Sequence, residues 1–205
     1  MTEKAEQVKE QKDGGTQPHA FALKDGRLDG EVVTYDDAGR VKERANFKDG
    51  KLDGETVIYD DSGLVAQRMM FKEGLLDGPM LIYAEGRIVA ALQHQGGKQH
   101  GESLIYGESG KVVHRAQYSD GKLNGGAQWY GPQGALIKKS QFRDGKLEGV
   151  TIEYYPNGKI QTASQYRANK LHGEVVGYSP EGKVALRAFY KDGEPAPFPP
   201  LPLQR

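Results

Sequence analysis

Few residues in this chain could do chemistry, and the most suggestive are Asp60 and Asp61, followed by Ser62 and Gly63, in the stretch KDGKLDGETVIYDDSG at 48–63. Paired carboxylates before a glycine invite a calcium reading. An EF-hand loop needs oxygen ligands at alternating positions and a closing glutamate, and this stretch has neither. Equivalent stretches replace the aspartates with GES, GPQ, YPN and SPE, so no ligand set recurs. Turn chemistry accounts for the pair.

The five histidines are His19, His94, His100, His114 and His172. Three of them, His94, His100 and His114, fall in neighbouring predicted strands and turns, but no spacing matches a zinc motif. His100 and His172 share one turn position with Asp29, Asp53 and Asn124. There is no Gly-x-Ser-x-Gly elbow and no predicted helix N-terminus to cradle a phosphate. We therefore expect no catalytic residues, no metal, no cofactor and no enzyme.

The elements that hold these residues come from a repeat. The glycine closing each Leu-x-Gly or its equivalent recurs at Gly30, Gly54, Gly78, Gly101, Gly125, Gly149 and Gly173, at intervals of 24, 24, 23, 24, 24 and 24. Five residues later stands Tyr35, Tyr59, Tyr83, Tyr106, Tyr130, Tyr154 or Tyr178, and a further glycine follows each. The single 23-residue interval arises at YAEG, 83–86, one residue shorter than YDDSG. Each unit reads as a β-hairpin: GETVIY is β-branched and aromatic between turn residues, and Asp-Gly supplies the second turn. The expected fold is all-β, an antiparallel hairpin array of about seven 24-residue repeats in an elongated, curved single sheet, on the order of 70 Å long. Its span is 21–193, between an unstructured or weakly helical tail at 1–20 and a proline-rich tail at 194–205, expected as polyproline II rather than sheet.

Composition supports a thin sheet over a thick core: 37% of residues are hydrophobic and 28 are glycine. Lys plus Arg equals Asp plus Glu at 28 each, so no global field draws the chain to nucleic acid. Cysteine is absent, which removes disulfides and thiolate sites. The charged first residues lack a secretory apolar run, and no stretch reaches the 18 or so apolar residues of a membrane span. Cytoplasmic localisation is expected.

Strand alternation places the tyrosines with Val33, Val57, Leu81, Leu104, Ile152 and Val176. These residues, with the row Phe47, Phe71, Tyr118, Phe142, Tyr166 and Tyr190 (His94 the exception), are expected to stack as the core. On the opposite face the chain offers Ile58, Ile82, Ile105 and Trp129, and the second strands offer Arg44, Arg68, Arg115 and Lys139. Apolar residues beside arginines on one open face have the composition of a protein interface. These eight residues are the candidate partner-binding site, with Trp129 at its centre.

The unit YxDGKLxGxxxxYxxxGx, followed by an apolar residue, resembles the MORN repeat, in the bacterial variant of the YwqK-like antitoxins. FKDGKLDGETVIYDDSG and YRANKLHGEVVGYSPEG both carry its frame. The resemblance implies a binding scaffold that neutralises a partner toxin or effector, as an antitoxin or immunity protein. The alternative it implies is a membrane- or lipid-associated scaffold. The third and fourth units depart from the frame at YAEG and HQGGKQHG, so a kink or specialised contact is expected around 84–101.

Overall fold

The computed structural model describes residues 21–199, together with the backbone of Glu6–Gln7. It comprises two compact units, Met1–Gly101 and Glu102–Arg205. Each is an antiparallel meander in which successive strands pair. Unit 1 holds the hairpins Gly30–Tyr35 with Val41–Lys48, Lys51–Tyr59 with Val65–Lys72, and Leu75–Ala84 with Arg87–Gln95. Unit 2 continues with Val112–Ser119 after the strand ending at Tyr106, then Lys122–Tyr130 with Leu136–Arg143, Gly149–Tyr154 with Ile160–Arg167, and Lys170–Tyr178 with Val184–Lys191. The expected all-β hairpin array is the observed fold.

Two turn types alternate, each dictated locally. Between hairpins, Lys48 pairs with Lys51 across Asp49 and Gly50, both at positive φ (50° and 80°). That is the two-residue turn whose twist matches the strands, and Asp-Gly enters it at low cost. In the turn between Arg167 and Lys170, Ala168 and Asn169 take the two left-handed positions. Two bonds offset the strain on alanine: its N–H donates to Glu148 Oε2 at 2.9 Å, and Asn169 Oδ1 accepts the Leu147 N–H at 2.6 Å. Within hairpins a longer loop closes on an aspartate. Asp60 Oδ1 accepts the backbone N–H groups of Ser62 (2.9 Å) and Leu64 (3.0 Å), and Asp36 does the same for Ala38 and Arg40. The apparent chemistry of the aspartate pair is loop construction.

The shortened loop does not kink its hairpin. Ala84 pairs with Arg87 across Glu85 and Gly86, at φ 51° and 73°, so losing one residue converts the longer loop into the tight two-residue turn. His94 pairs with Gln99 where other units pair an aromatic with leucine. The kink expected at the shortened loop is absent because the tight turn keeps the hairpin paired up to Ala84 and Arg87.

Register decides the faces, because residues directly opposite in an antiparallel pair share one face. One face carries the tyrosines with Val33 and Val57; we call it the tyrosine face. The other carries a row that begins short, at Ala45 and Thr56, and continues through Met69, Met80 and Leu92 as successive partners in unit 1. In unit 2 the row runs through Ala116, Ala127 and Ser140, then Thr151, Ser164, Val175 and Ala188. This small-residue face also bears Phe47 against Leu52 and Phe71 against Leu76.

The expected core is corrected here. The tyrosines and second-strand aromatics are only half-buried, whereas Ala116, Ala127, Thr56 and Ser140 are 2% exposed or less. Long side chains on a single sheet always keep one flank in solvent. Short ones between two rows of longer neighbours are covered completely. Val33 and Val57 are also buried, so the expectation stands for these two, whereas Val176 is only half-buried.

The ends differ from expectation as well. Glu194–Ala196 is a strand paired to Phe189–Lys191, because the Asp192–Gly193 turn directs it back along the sheet. Glu6–Gln7 pairs with Ala22–Leu23. The remaining expectations for 1–20 and 200–205 lie outside the described residues.

Candidate protein-binding site

The structure separates the eight candidate residues into two rows on opposite faces. Arg44 pairs with Val33 and Val57, Arg68 with Val57 and Leu81, and Lys139 with Gln128 and Ile152. These cations therefore lie on the tyrosine face. Ile58 pairs with Glu43 and Gln67, Ile82 with Gln67 and Ala90, and Trp129 with His114 and Lys138, all on the small-residue face.

The joint face expected from sequence is corrected by a bulge. The register slips by one residue between Thr34 and Tyr35, and likewise at Ile58/Tyr59 and Trp129/Tyr130. Counting back from the loop without that slip puts Arg44 opposite Val32, on the face of Ile58. One residue of slip moves a whole row to the other face.

On the tyrosine face most of these cations are engaged within the chain. Arg44 reaches Glu31 at 3.2 Å, Arg68 reaches Glu55 at 3.2 Å, and Arg115 reaches Glu102 at 3.3 Å. A further rung joins Arg187 to Glu174 at 2.6 Å. Glu31 raises the pKa of the Arg44 guanidinium through its hydrogen bond and charge. Each pair is thirteen residues apart, and the members vary together between units. Where Pro79 or Val150 replaces the glutamate, Ala91 or Ala163 replaces the arginine. Gly126 leaves Lys139 without that carboxylate, and its Nζ lies 6.0 Å from the Tyr154 ring. The thirteen-residue Glu–Arg spacing was the sequence signal that could have shown these rungs. Beside Val150 the tyrosine face opens into a groove of about 680 Å³, whose walls include Gln141, Gln165, Tyr166 and Phe189.

The small-residue face of unit 2 holds a different arrangement. The His114 and Trp129 rings stack across the strand pair, with centroids 4.9 Å apart and planes tilted by 42°. Lys138 Nζ lies 5.6 Å from the indole centroid on the other side and reaches Glu153 at 3.4 Å. Ile105, from the same row of the repeat, is 36% exposed. Burial holds the His114 imidazole below its usual pKa, so the neutral ring lies against the indole at pH 7. A large aromatic with a cation over it, flanked by exposed aliphatic surface, is the composition of an interface anchor. His114 and Lys138 were absent from the sequence candidates because their contact with Trp129 depends on register.

Turn residues stitch neighbouring repeats. Asp53 Oδ2 accepts the Glu73 N–H at 3.0 Å and Asp77 Oδ2 accepts the Gly96 N–H at 2.9 Å. His172 Nδ1 lies 3.0 Å from Asp192 Oδ1. The shared position of His172 with these aspartates is thus structural.

The fold and these rungs define a repeat scaffold built of stacked β-hairpins. Three segments, 28–49, 147–168 and 171–192, match the model of the MORN repeat variant. No curated protein compared with the chain matches it.

Proposed function

We propose that this chain is a non-enzymatic, cytoplasmic scaffold that binds a protein partner, and in the finer reading an antitoxin or immunity protein that neutralises a toxin or effector by covering it. The observation that carries the reading is the Trp129 cluster. It sets an indole, an imidazole and a lysine beside exposed Ile105, whereas Arg44, Arg68 and Arg115 across the sheet are occupied by their own glutamates. Aromatic residues with a neighbouring cation are the usual hot spots of protein interfaces. The antitoxin part rests on the resemblance of the repeat, and the contact residues on the packing around Trp129.

The test is co-expression with the products of the neighbouring genes. Relief of growth arrest by the wild type, lost in Trp129→Ala with His114→Ala while circular dichroism stays unchanged, supports the reading. Equal relief by both proteins removes the Trp129 cluster from the contact. No relief of any neighbour's toxicity overturns the antitoxin role. Salt-sensitive flotation with phosphatidylserine vesicles would replace it with the membrane-scaffold alternative.

A further inference from the structure

We propose that residues 200–205, with the sequence PLPLQR, bind the groove beside Val150 on the tyrosine face of their own chain, as an internal proline-rich ligand. This goes beyond the partner-binding reading and uses the face opposite Trp129. Pro199, the last residue described before this segment, is already turned toward the groove. Glu194–Ala196 pairs along the outer side of Phe189–Lys191. Beyond it the Phe198 ring lies against Phe189, with centroids 5.9 Å apart and planes tilted by 49°. Phe198 and Pro199 enclose a cavity of about 470 Å³ with Glu174, Arg187 and Phe189. Glu174 stands opposite Phe189 on the next strand inward, so the chain here lies over the sheet face.

The repeat departs from its own pattern where the segment lands. In the other six units the position of Phe189 is held by Asn46, Met70, Gln93, Gln117, Gln141 and Gln165. The unit that precedes the tail has an aromatic there, and Phe198 packs on it. The groove of about 680 Å³ begins at the same Phe189 and continues past Gln165 to Val150. Two consecutive rungs are missing along it: Gly126 and Val150 stand in place of the glutamate, and Lys139 and Ala163 in place of the arginine. Val150 is left 42% exposed.

The occupant follows from the chemistry of this floor. A segment laid on a sheet face has no strand to pair with, so it needs few backbone donors. Pro200 and Pro202 have no N–H, and a polyproline II backbone leaves its carbonyls free to accept hydrogen bonds. Such segments dock in aromatic-lined grooves. Tyr166 and Phe189 are the aromatic walls, and the side-chain amides of Gln141 and Gln165 have no hydrogen-bond partner among the described residues, so their N–H groups can meet those carbonyls. Leu201 and Leu203 supply apolar cover for Val150. Reach is sufficient, because six residues extend about 19 Å and the strand of Val150 lies two strand spacings, about 10 Å, from that of Glu174. Tethering beside the groove gives the segment an effective concentration on the order of millimolar, which favours it over a free peptide.

A single nitroxide on the full chain tests this. Cysteine is absent, so Gln204→Cys takes one label. The label should broaden the backbone amides of Val150 and Gln165 far more than those of Gly158 and Gly182, in the loops at the other end of the hairpins. Labelled chain mixed with isotope-enriched chain lacking the label should broaden neither. Val150→Glu with Ala163→Arg, which rebuilds a rung across the groove, should abolish the effect. Phe198→Ala, at an exposed side chain outside the strands, should reduce it without disturbing the sheet. Absent or uniform broadening overturns the proposal, as does broadening unchanged in both variants. Equal broadening in the mixed sample would assign the groove to the tail of a second copy and overturn it too.

Discussion

The two faces of these hairpins solve opposite problems with the same strands. On the tyrosine face, charge meets charge: a glutamate on the first strand takes the arginine on the second, and both are lost together where Pro79 and Ala91, or Val150 and Ala163, stand instead. On the small-residue face, size is the variable: Ala116 and Ala127 are sealed between longer neighbours, and the chemistry lies in the outer row with Trp129. Complementary residues leave a sheet face little to offer a partner, and uncompensated aromatic surface leaves it something to bind. Residue type alone misleads, because Arg68 and Lys138 look alike in sequence and do different work.

The contrast breaks most severely where both faces depend on one backbone. Gly78 lies at φ 118°, and a Cβ there would meet the Met70 Cβ at 3.1 Å. Gly78→Ala should cost about 2–4 kcal/mol, from left-handed strain together with the clash. Gly63, at φ 80° with nothing within 4 Å of a Cβ, isolates the strain, so Gly63→Ala should cost about 1 kcal/mol. Urea unfolding midpoints compare the two, and equal losses would show that the close approach to Met70 carries no weight.

The buried row offers a sharper comparison within the small-residue face. Thr151 Oγ1 hydrogen-bonds Ser140 Oγ at 3.0 Å, whereas Thr56 Oγ1 is buried with no partner. Burying an unpaired hydroxyl is costly, and breaking a pair strands its other member. Thr56→Val should therefore be neutral or stabilising, by up to about 1 kcal/mol, and Thr151→Val destabilising by about 1–2 kcal/mol. Thermal melts of both variants decide it, with the same sign for both counting against the argument.

The rungs of the tyrosine face are weaker. Arg68 and Glu55 are each about half exposed, and such pairs contribute about 0.2–1 kcal/mol. A double-mutant cycle of Arg68→Ala and Glu55→Ala should give a coupling in that range at low salt, fading as the ionic strength rises. A coupling that ignores salt would mean the pair acts through packing.

How much of this was legible follows from which forces are local. Asp-Gly turns, the loop aspartates and the 24-residue period act over a few residues, so the hairpin array could be read directly. Pairing register is not local. The slip at tyrosines such as Tyr35, Tyr59 and Tyr130 reverses the face of the whole following strand, and nothing in the residues of Tyr35 or Tyr59 announces it. The Trp129 row was placed correctly because it precedes the bulge, and the arginines were misplaced because they follow it. Burial was misread for another reason: in a single sheet, deep burial goes to the short side chains that longer ones can roof over.

The last comparison is between protonation states beside Trp129. Burial lowers the His114 pKa from 6.5, and His94, in the aromatic row of unit 1, is lowered for the same reason. A histidine whose folded pKa is depressed binds protons more readily in the unfolded chain. Its contribution is therefore present above the unfolded pKa near 6.5 and is lost as pH falls below it toward the folded value. Stability should fall between pH 7.5 and 5.5, and His114→Gln should flatten that fall while leaving the part due to His94. Urea midpoints at the two pH values, for wild type and variant, give both slopes. Identical slopes would mean that the imidazole against Trp129 is as well hydrated as in the open chain, and the cluster would then be too wet to anchor a partner.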